Sequence, residues 1–350
     1  MKKQNIYSPA IPVFARVCLL IALCSSVGSV IAQDTKAKPV VEKKAKVKDT
    51  VATKDAKVKP VSEKKTNVKD AVAAKDTTAE APAVKKISYI KNTFEGNYLI
   101  DEQTVMVPIK GTFEFDIQHR FGTVEHGTTD LFGIFASAKM RLGFSYVPVS
   151  NLQVGFGATN EKMQVDWNLK YALLKQTKDG SMPISVTYYG DAAMDTRKKD
   201  NTTLFVTTSD RFSFFNQLII ARKFSDKLSL EVSPNVSHFN NLQGYQDASG
   251  NVLPILKNDN FAVAFSGRYK ISDESALIAS YAQPLTQNPA NNPRPGISFG
   301  IEMKTSGHDF EIFVGNYSSL IPQNNYIYNQ NDFNKGQFLI GFNISRLWNF

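Results

Sequence analysis

The stretch Gly336-Gln337-Phe338-Leu339-Ile340-Gly341-Phe342-Asn343-Ile344-Ser345-Arg346-Leu347-Trp348-Asn349-Phe350 decides how the chain is read. Phe338, Ile340, Phe342, Ile344, Trp348 and Phe350 share even parity. Gln337, Gly341, Asn343, Ser345 and Asn349 hold the odd positions, with Leu339 and Leu347 as exceptions. Side chains alternate between the two faces of a strand, so this is a strand with one apolar face and one small, polar face. Chain ends usually fray, and a soluble domain seldom leaves a bare aromatic on its last strand position.

The same two-residue period runs upstream. Phe113, Phe115, Ile117 and Phe121 alternate with Glu114, Asp116, Gln118 and Arg120. Met140, Leu142, Phe144 and Tyr146 alternate with Lys139, Arg141, Gly143 and Ser145. Further runs follow at 152–158, 163–171, 184–188, 212–223, 228–236, 261–269, 277–281, 297–303 and 310–317, with the parity least clean at 212–223. With the closing strand they make twelve, although ten or fourteen would also fit the pattern. Connections at 147–151, 177–181, 225–227, 271–274 and 305–308 are tight. Those at 122–133, 195–210, 240–259, 284–295 and 318–335 are long, and only 160–162 breaks the alternation.

Short turns on one rim and long polar loops on the other are the arrangement of a transmembrane β-barrel. Most runs approach the 9–11 residues that a tilted spanning strand needs. In lipid only helices and closed barrels satisfy their backbone groups. The expected fold is therefore an all-β, antiparallel transmembrane β-barrel of about twelve strands over residues 87–350. Tyr146, Tyr171, Tyr188, Tyr269, Tyr281 and Trp348, with Tyr89, Tyr98 and Tyr317, are candidates for aromatic girdles.

Residues 1–32 read as a secretory signal peptide: Lys2, Lys3 and Arg16 precede a short apolar core, Val17–Cys24, and small residues follow at Val30-Ile31-Ala32. Its removal takes away Cys18 and Cys24, so the mature chain would have no thiol for a disulfide or metal site. Residues 33–86 contain no aromatic and repeat with a period of 21: Lys38-Pro39-Val40 returns as Lys59-Pro60-Val61 and Val47-Lys48-Asp49 as Val68-Lys69-Asp70. So many charges with so little apolar surface imply a disordered, basic, low-complexity linker. It carries 15 Lys against 8 acids, so most of the chain's net charge of +9 lies there, and the folded part is close to neutral. Nucleic-acid binding is a poor reading, because the folded part has no basic face with interleaved aromatics and a secreted chain is in the wrong compartment. The tether is expected to be a solvated spacer first, with weak contact to anionic cell-wall polymer or lipid phosphates as the alternative.

Chemistry is sparse. His119, His126, His238 and His308 lack metal-ligand spacing, and no nucleophile elbow, phosphate loop or dinucleotide fingerprint occurs. No catalytic residue, metal or cofactor is expected. The polar face of the first strands does offer a lumen charge network of Glu114, Asp116, Arg120, Lys139, Arg141, Asp166 and Lys170. A symmetric first hairpin would set Asp116 against Lys139 and Glu114 against Arg141. Gly155 and Gly157 would leave room for Arg141 to lean toward Asp166. Two readings are open: a charged constriction that selects solutes, or a plug in which buried charges satisfy one another.

The closing strand resembles the terminal strand of outer-membrane barrels, the part that barrel assembly machinery recognises. From Thr93-Phe94-Glu95-Gly96 with Leu99-Ile100, through Gln118-His119-Arg120-Phe121-Gly122, Asp130-Leu131-Phe132-Gly133 and Lys170-Tyr171-Ala172-Leu173-Leu174, to Gly341-Phe342-Asn343-Ile344-Ser345-Arg346, the chain resembles a barrel family of Bacteroidetes envelopes classed as a domain of unknown function. The resemblance implies the outer membrane of a Gram-negative cell, with lipid around the barrel. An even strand count then places both mature termini in the periplasm. It implies no substrate. The expected function is a narrow pore or transport component for a small solute. The alternatives are a structural or surface-binding barrel using its long loops and, third, a barrel-embedded enzyme.

Overall fold

The computed structural model describes residues 87–198, 205, 207–242, 245–246, 252–253 and 256–349. The expected signal peptide (1–32), the expected basic linker (33–86) and Phe350 lie outside the described residues. Twelve strands form one closed antiparallel barrel. They are β1 Thr112–Thr123, β2 Lys139–Val149, β3 Leu152–Thr159, β4 Gln164–Leu174, β5 Ser185–Asp195 and β6 Phe212–Lys223, then β7 Leu228–Phe239, β8 Asp259–Lys270, β9 Ser275–Pro284, β10 Gly296–Lys304, β11 His308–Gly315 and β12 Leu339–Asn349. Each strand pairs with its sequence neighbours, and β12 pairs with β1 from Leu339↔Thr123 to Asn349↔Thr112, which closes the ring. No edge is left unpaired, so every strand's backbone polar groups have ladder partners.

The faces are inverted relative to a water-soluble sheet. Phe144, Trp167, Phe265 and Leu277 point outward and are 44, 46, 49 and 48% exposed, whereas Asp116 and Asp166 point inward and are 2 and 1% exposed. Apolar side chains stand outside and charged ones inside. Only a medium poorer than water in hydrogen bonds makes that the favourable arrangement.

Within 87–350, residues 93–105 pack inside the barrel and not in its wall, and the chain on either side of them, 87–92 and 108–111, runs at the rim. The chain reaches the tight-turn rim at the β4–β5 turn, where Ile90 N donates to Gln176 O (2.8 Å) and Lys178 N to Ser88 O (2.8 Å). It then turns into the lumen as a small hairpin, with Tyr98↔Gln103 and Leu99↔Glu102 paired. It returns to the same rim, where Gly111 N donates to Val147 O (2.9 Å) just before β1. We refer to this segment as the plug. Ile100, at its tip, has a φ of 63°, a backbone conformation that β-branched residues rarely adopt.

The other side is filled by the β11–β12 connection. Helix α1, Pro322–Tyr328, starts with proline at its first turn and buries Gln323, Asn324, Asn325, Tyr326 and Ile327. Phe94, Leu99 and Ile100 of the plug form one apolar cluster with wall residues Phe215, Ile219 and Phe313 and with Tyr326 of α1. A barrel of eight strands can be filled by its own side chains, whereas twelve enclose more space. The plug and α1 occupy that extra space. Their presence explains the mixed parity of β6: Phe215 and Ile219 face inward because they pack on the plug and helix, not on lipid.

Candidate functional site

The site is the contact between the barrel wall and what fills it. Its centre is Arg141 on β2. Arg141 donates from Nε and Nη2 to the two carboxylate oxygens of Asp166 on β4 (2.9 and 2.6 Å), from Nη1 to Asp116 on β1 (3.0 Å) and to the Tyr98 hydroxyl of the plug (3.3 Å). A two-toothed guanidinium–carboxylate contact fixes orientation as well as charge. Reaching across β3 requires an absent side chain, and a Cβ on Gly157 would collide with the guanidinium. Gly155 has a different role, because a Cβ there would meet Asn168 and Ser145.

The first hairpin is not symmetric about its loop in the expected way. Gln118 pairs with Arg141 and Arg120 with Lys139, so the ladder is centred two residues further along the chain. The cause is the connection itself, which coils through 3₁₀ turns at Val124–Asp130 and turns at Leu131 and Phe132 with positive φ. Asp116 therefore faces Gly143, and the missing side chain there lets it reach Arg141. Glu114 does not meet Arg141. It accepts from Asn97 of the plug and from Gln153 Nε2 (2.8 Å). Lys139 stands apart from the network at the long-loop rim, paired with Glu161 (2.7 Å) and donating to Ser318 (3.3 Å).

The remaining two candidates hold the plug. Arg120 donates to Asp101 (2.9 Å), to Asn343 Oδ1 on β12 (2.9 Å) and to the Ile100 carbonyl (3.4 Å), with its guanidinium 4.5 Å from the centre of the Phe313 ring. Lys170 donates to the Asn97 carbonyl (3.1 Å) and side chain (3.4 Å). Further fasteners have no counterpart in the sequence reading. Ile100 N donates to Glu311 (3.1 Å), Gln217 to Glu102 (2.9 Å), Thr187 to the Val105 carbonyl (2.9 Å) and Tyr326 of α1 to Glu102 (2.6 Å). Gln323 of α1 donates to Asp191 (3.0 Å) and Ser213 (3.2 Å) on the wall. Their one sequence signal is that Asn97, Leu99, Ile100, Asp101 and Glu102 are mixed apolar and acidic without strand parity.

Between plug, α1 and wall a cavity of about 20 Å³ remains, lined by Tyr98, Asp101, Arg120, Arg141, Asp191 and Asn325, among others. That is room for about one water. The plug and α1 fill this part of the lumen. Among the described residues no group of His, Cys, Asp and Glu is arranged to hold a metal ion. His119 faces outward and stacks on Phe342 (4.9 Å between centroids), and His238 contacts Asp259 (2.7 Å) at the long-loop rim. Of the aromatics proposed for girdles, Tyr98 lies half-buried on the plug, against Arg141, and Tyr317 is buried in the apolar cluster inside the barrel.

Solved structures with a similar outline are the NanC porin (11% identity, TM-score 0.41, covering 67% of this chain and 98% of that one), an outer membrane channel from Pseudomonas putida F1 (11%, 0.41, 69% and 97%) and the KdgM porin (9%, 0.37, 68% and 99%). No curated protein matches the sequence. The sequence pattern of one family extends over residues 94–348, from within the plug to the last strand. By that match the chain belongs to the membrane-bound beta barrel domain family DUF5777.

Proposed function

We propose that the protein is an outer-membrane channel for small polar solutes, closed in the state described here by its own N-terminal plug. Its tight turns and both termini would face the periplasm. The observation that carries this reading is how the lumen is closed. Glu114, Arg120, Lys170 and Glu311 of the wall are satisfied by a segment that enters and leaves at one rim, through Asn97, Ile100 and Asp101, and not by each other alone. Such a segment can withdraw without unpairing a single barrel strand. What it would leave behind is a polar wall, which suits water and solute and not protein packing. The closing strand β12 is the segment that assembly machinery would recognise.

A second reading is a solid structural barrel whose long loops bind at the surface. The 20 Å³ residual cavity favours it. Planar-bilayer recording separates the two. The full chain is expected to be closed with rare openings. Leu99→Ala with Ile100→Ala removes two side chains that are fully buried in the plug cluster, at about 2–5 kcal/mol each. That loss is expected to give frequent, discrete conductance steps. Silence from both proteins, with the barrel intact by heat-dependent gel mobility, would leave the structural reading standing.

A further inference from the structure

The charges of the lumen wall do not balance. Among the described residues the strands bury eight inward carboxylates against four cations, Arg120, Arg141, Lys170 and Arg268. The plug does not redress this, because it brings Glu95, Asp101 and Glu102. Glu95 is shared between Arg268 (3.8 Å) and Lys304, and Asp101 is on Arg120. The cations are therefore already occupied, and several acids are left with neutral partners or none.

Glu231 on β7 is the extreme case. It is 5% exposed and faces inward, yet neither carboxylate oxygen has a hydrogen-bond partner. Its ladder neighbours are Ala221 on β6 and Ser266 on β8, both too short to cover it. Lys170 and Glu102 are the charged groups that act on it across the lumen, and Lys170 is committed to Asn97. A buried carboxylate with no donor beside it is costly to keep charged, and a cation that reaches it lowers that cost. Rings of carboxylates are how cation pathways are built in membrane proteins.

We infer that the solutes this lumen takes are cations, and that Glu231 is a residue that sets the preference. The inference rests on the channel reading above and names its substrate class. Withdrawal of the plug removes three carboxylates and leaves the wall's own excess of four, so the preference belongs to the open state. Arg141 opposes it locally, but its charge is spent on Asp116 and Asp166.

The test uses the full chain carrying Leu99→Ala and Ile100→Ala in a planar bilayer, with KCl at different concentrations on the two sides. The zero-current potential reads the permeability ratio of K⁺ to Cl⁻. A ratio above unity is expected, and adding Glu231→Gln, which keeps shape and removes charge, is expected to lower it toward unity. A ratio at or below unity through discrete channels overturns the inference while the channel reading survives. A ratio above unity that Glu231→Gln leaves unmoved removes the role given to Glu231. Absence of channels, with the barrel intact by gel mobility, removes the channel reading and this inference with it.

Discussion

At the scale of single residues, the centre of the lumen is one guanidinium between two carboxylates. Arg141→Ala would leave Asp116 and Asp166 buried and without a counter-charge, which costs about 3–5 kcal/mol for a pair broken from one side. The matched control is Lys139→Ala, whose partner contact lies at the rim with the lysine side chain 33% exposed and is worth about 0–1 kcal/mol. Urea unfolding in lipid vesicles is expected to show a large loss of stability for the first and little for the second. Equal effects would mean that both pairs are equally hydrated. The sequence carried part of this geometry. The inward parity of Asp116, Arg141 and Asp166 was readable because lumen and lipid demand opposite side chains. The partner of each was not readable, because the register depends on how residues 124–138 coil, and no period of two extends through that connection.

At the scale of elements, the twelve strands were legible and the plug was not, for one physical reason. Strands of a barrel separate two media, and the separation is written in alternate residues. The plug separates nothing. It packs against polar wall on one side and Phe215, Ile219 and Phe313 on the other, so it needs mixed residues in no fixed order. Its trace in the sequence is indirect: inward apolar residues such as Ile219 and Phe313 make sense only if something covers them. The plug and α1 meet through Tyr326 and Glu102, where the hydroxyl donates at 2.6 Å. Tyr326→Phe keeps the ring stacked on Phe215 (5.5 Å) and removes one donor from a buried carboxylate, a loss of about 1–3 kcal/mol. Because α1 and the plug are the two halves of the closure, the loss is expected to appear as faster amide hydrogen exchange at residues 98–104, with the strand amides unchanged. Uniformly faster exchange over β1–β12 would instead mean that the contact stabilises the whole barrel.

At the scale of the molecule, the inverted faces demand a particular surrounding. Phe265 lies in the middle of β8, facing outward, and Tyr269 lies on the same face near the tight-turn rim. In water the two sites would be equivalent, since they are 49 and 48% exposed and a charge at either would be hydrated. In a bilayer they differ by depth. An arginine at the midplane costs about 2–4 kcal/mol, whereas near the interface it costs about 0–1 kcal/mol. Phe265→Arg is therefore expected to destabilise the barrel in vesicles several times more than Tyr269→Arg does, even though more hydrocarbon contact is not lost at one site than at the other. The same two variants compared in a short-chain detergent, where charge reaches water more readily, are expected to converge. A midplane penalty no larger than the rim penalty would mean that lipid does not surround this sheet. The outward phenylalanines would then need a protein partner to cover them, and the polar, plugged interior could no longer be explained as the watery side of a membrane wall.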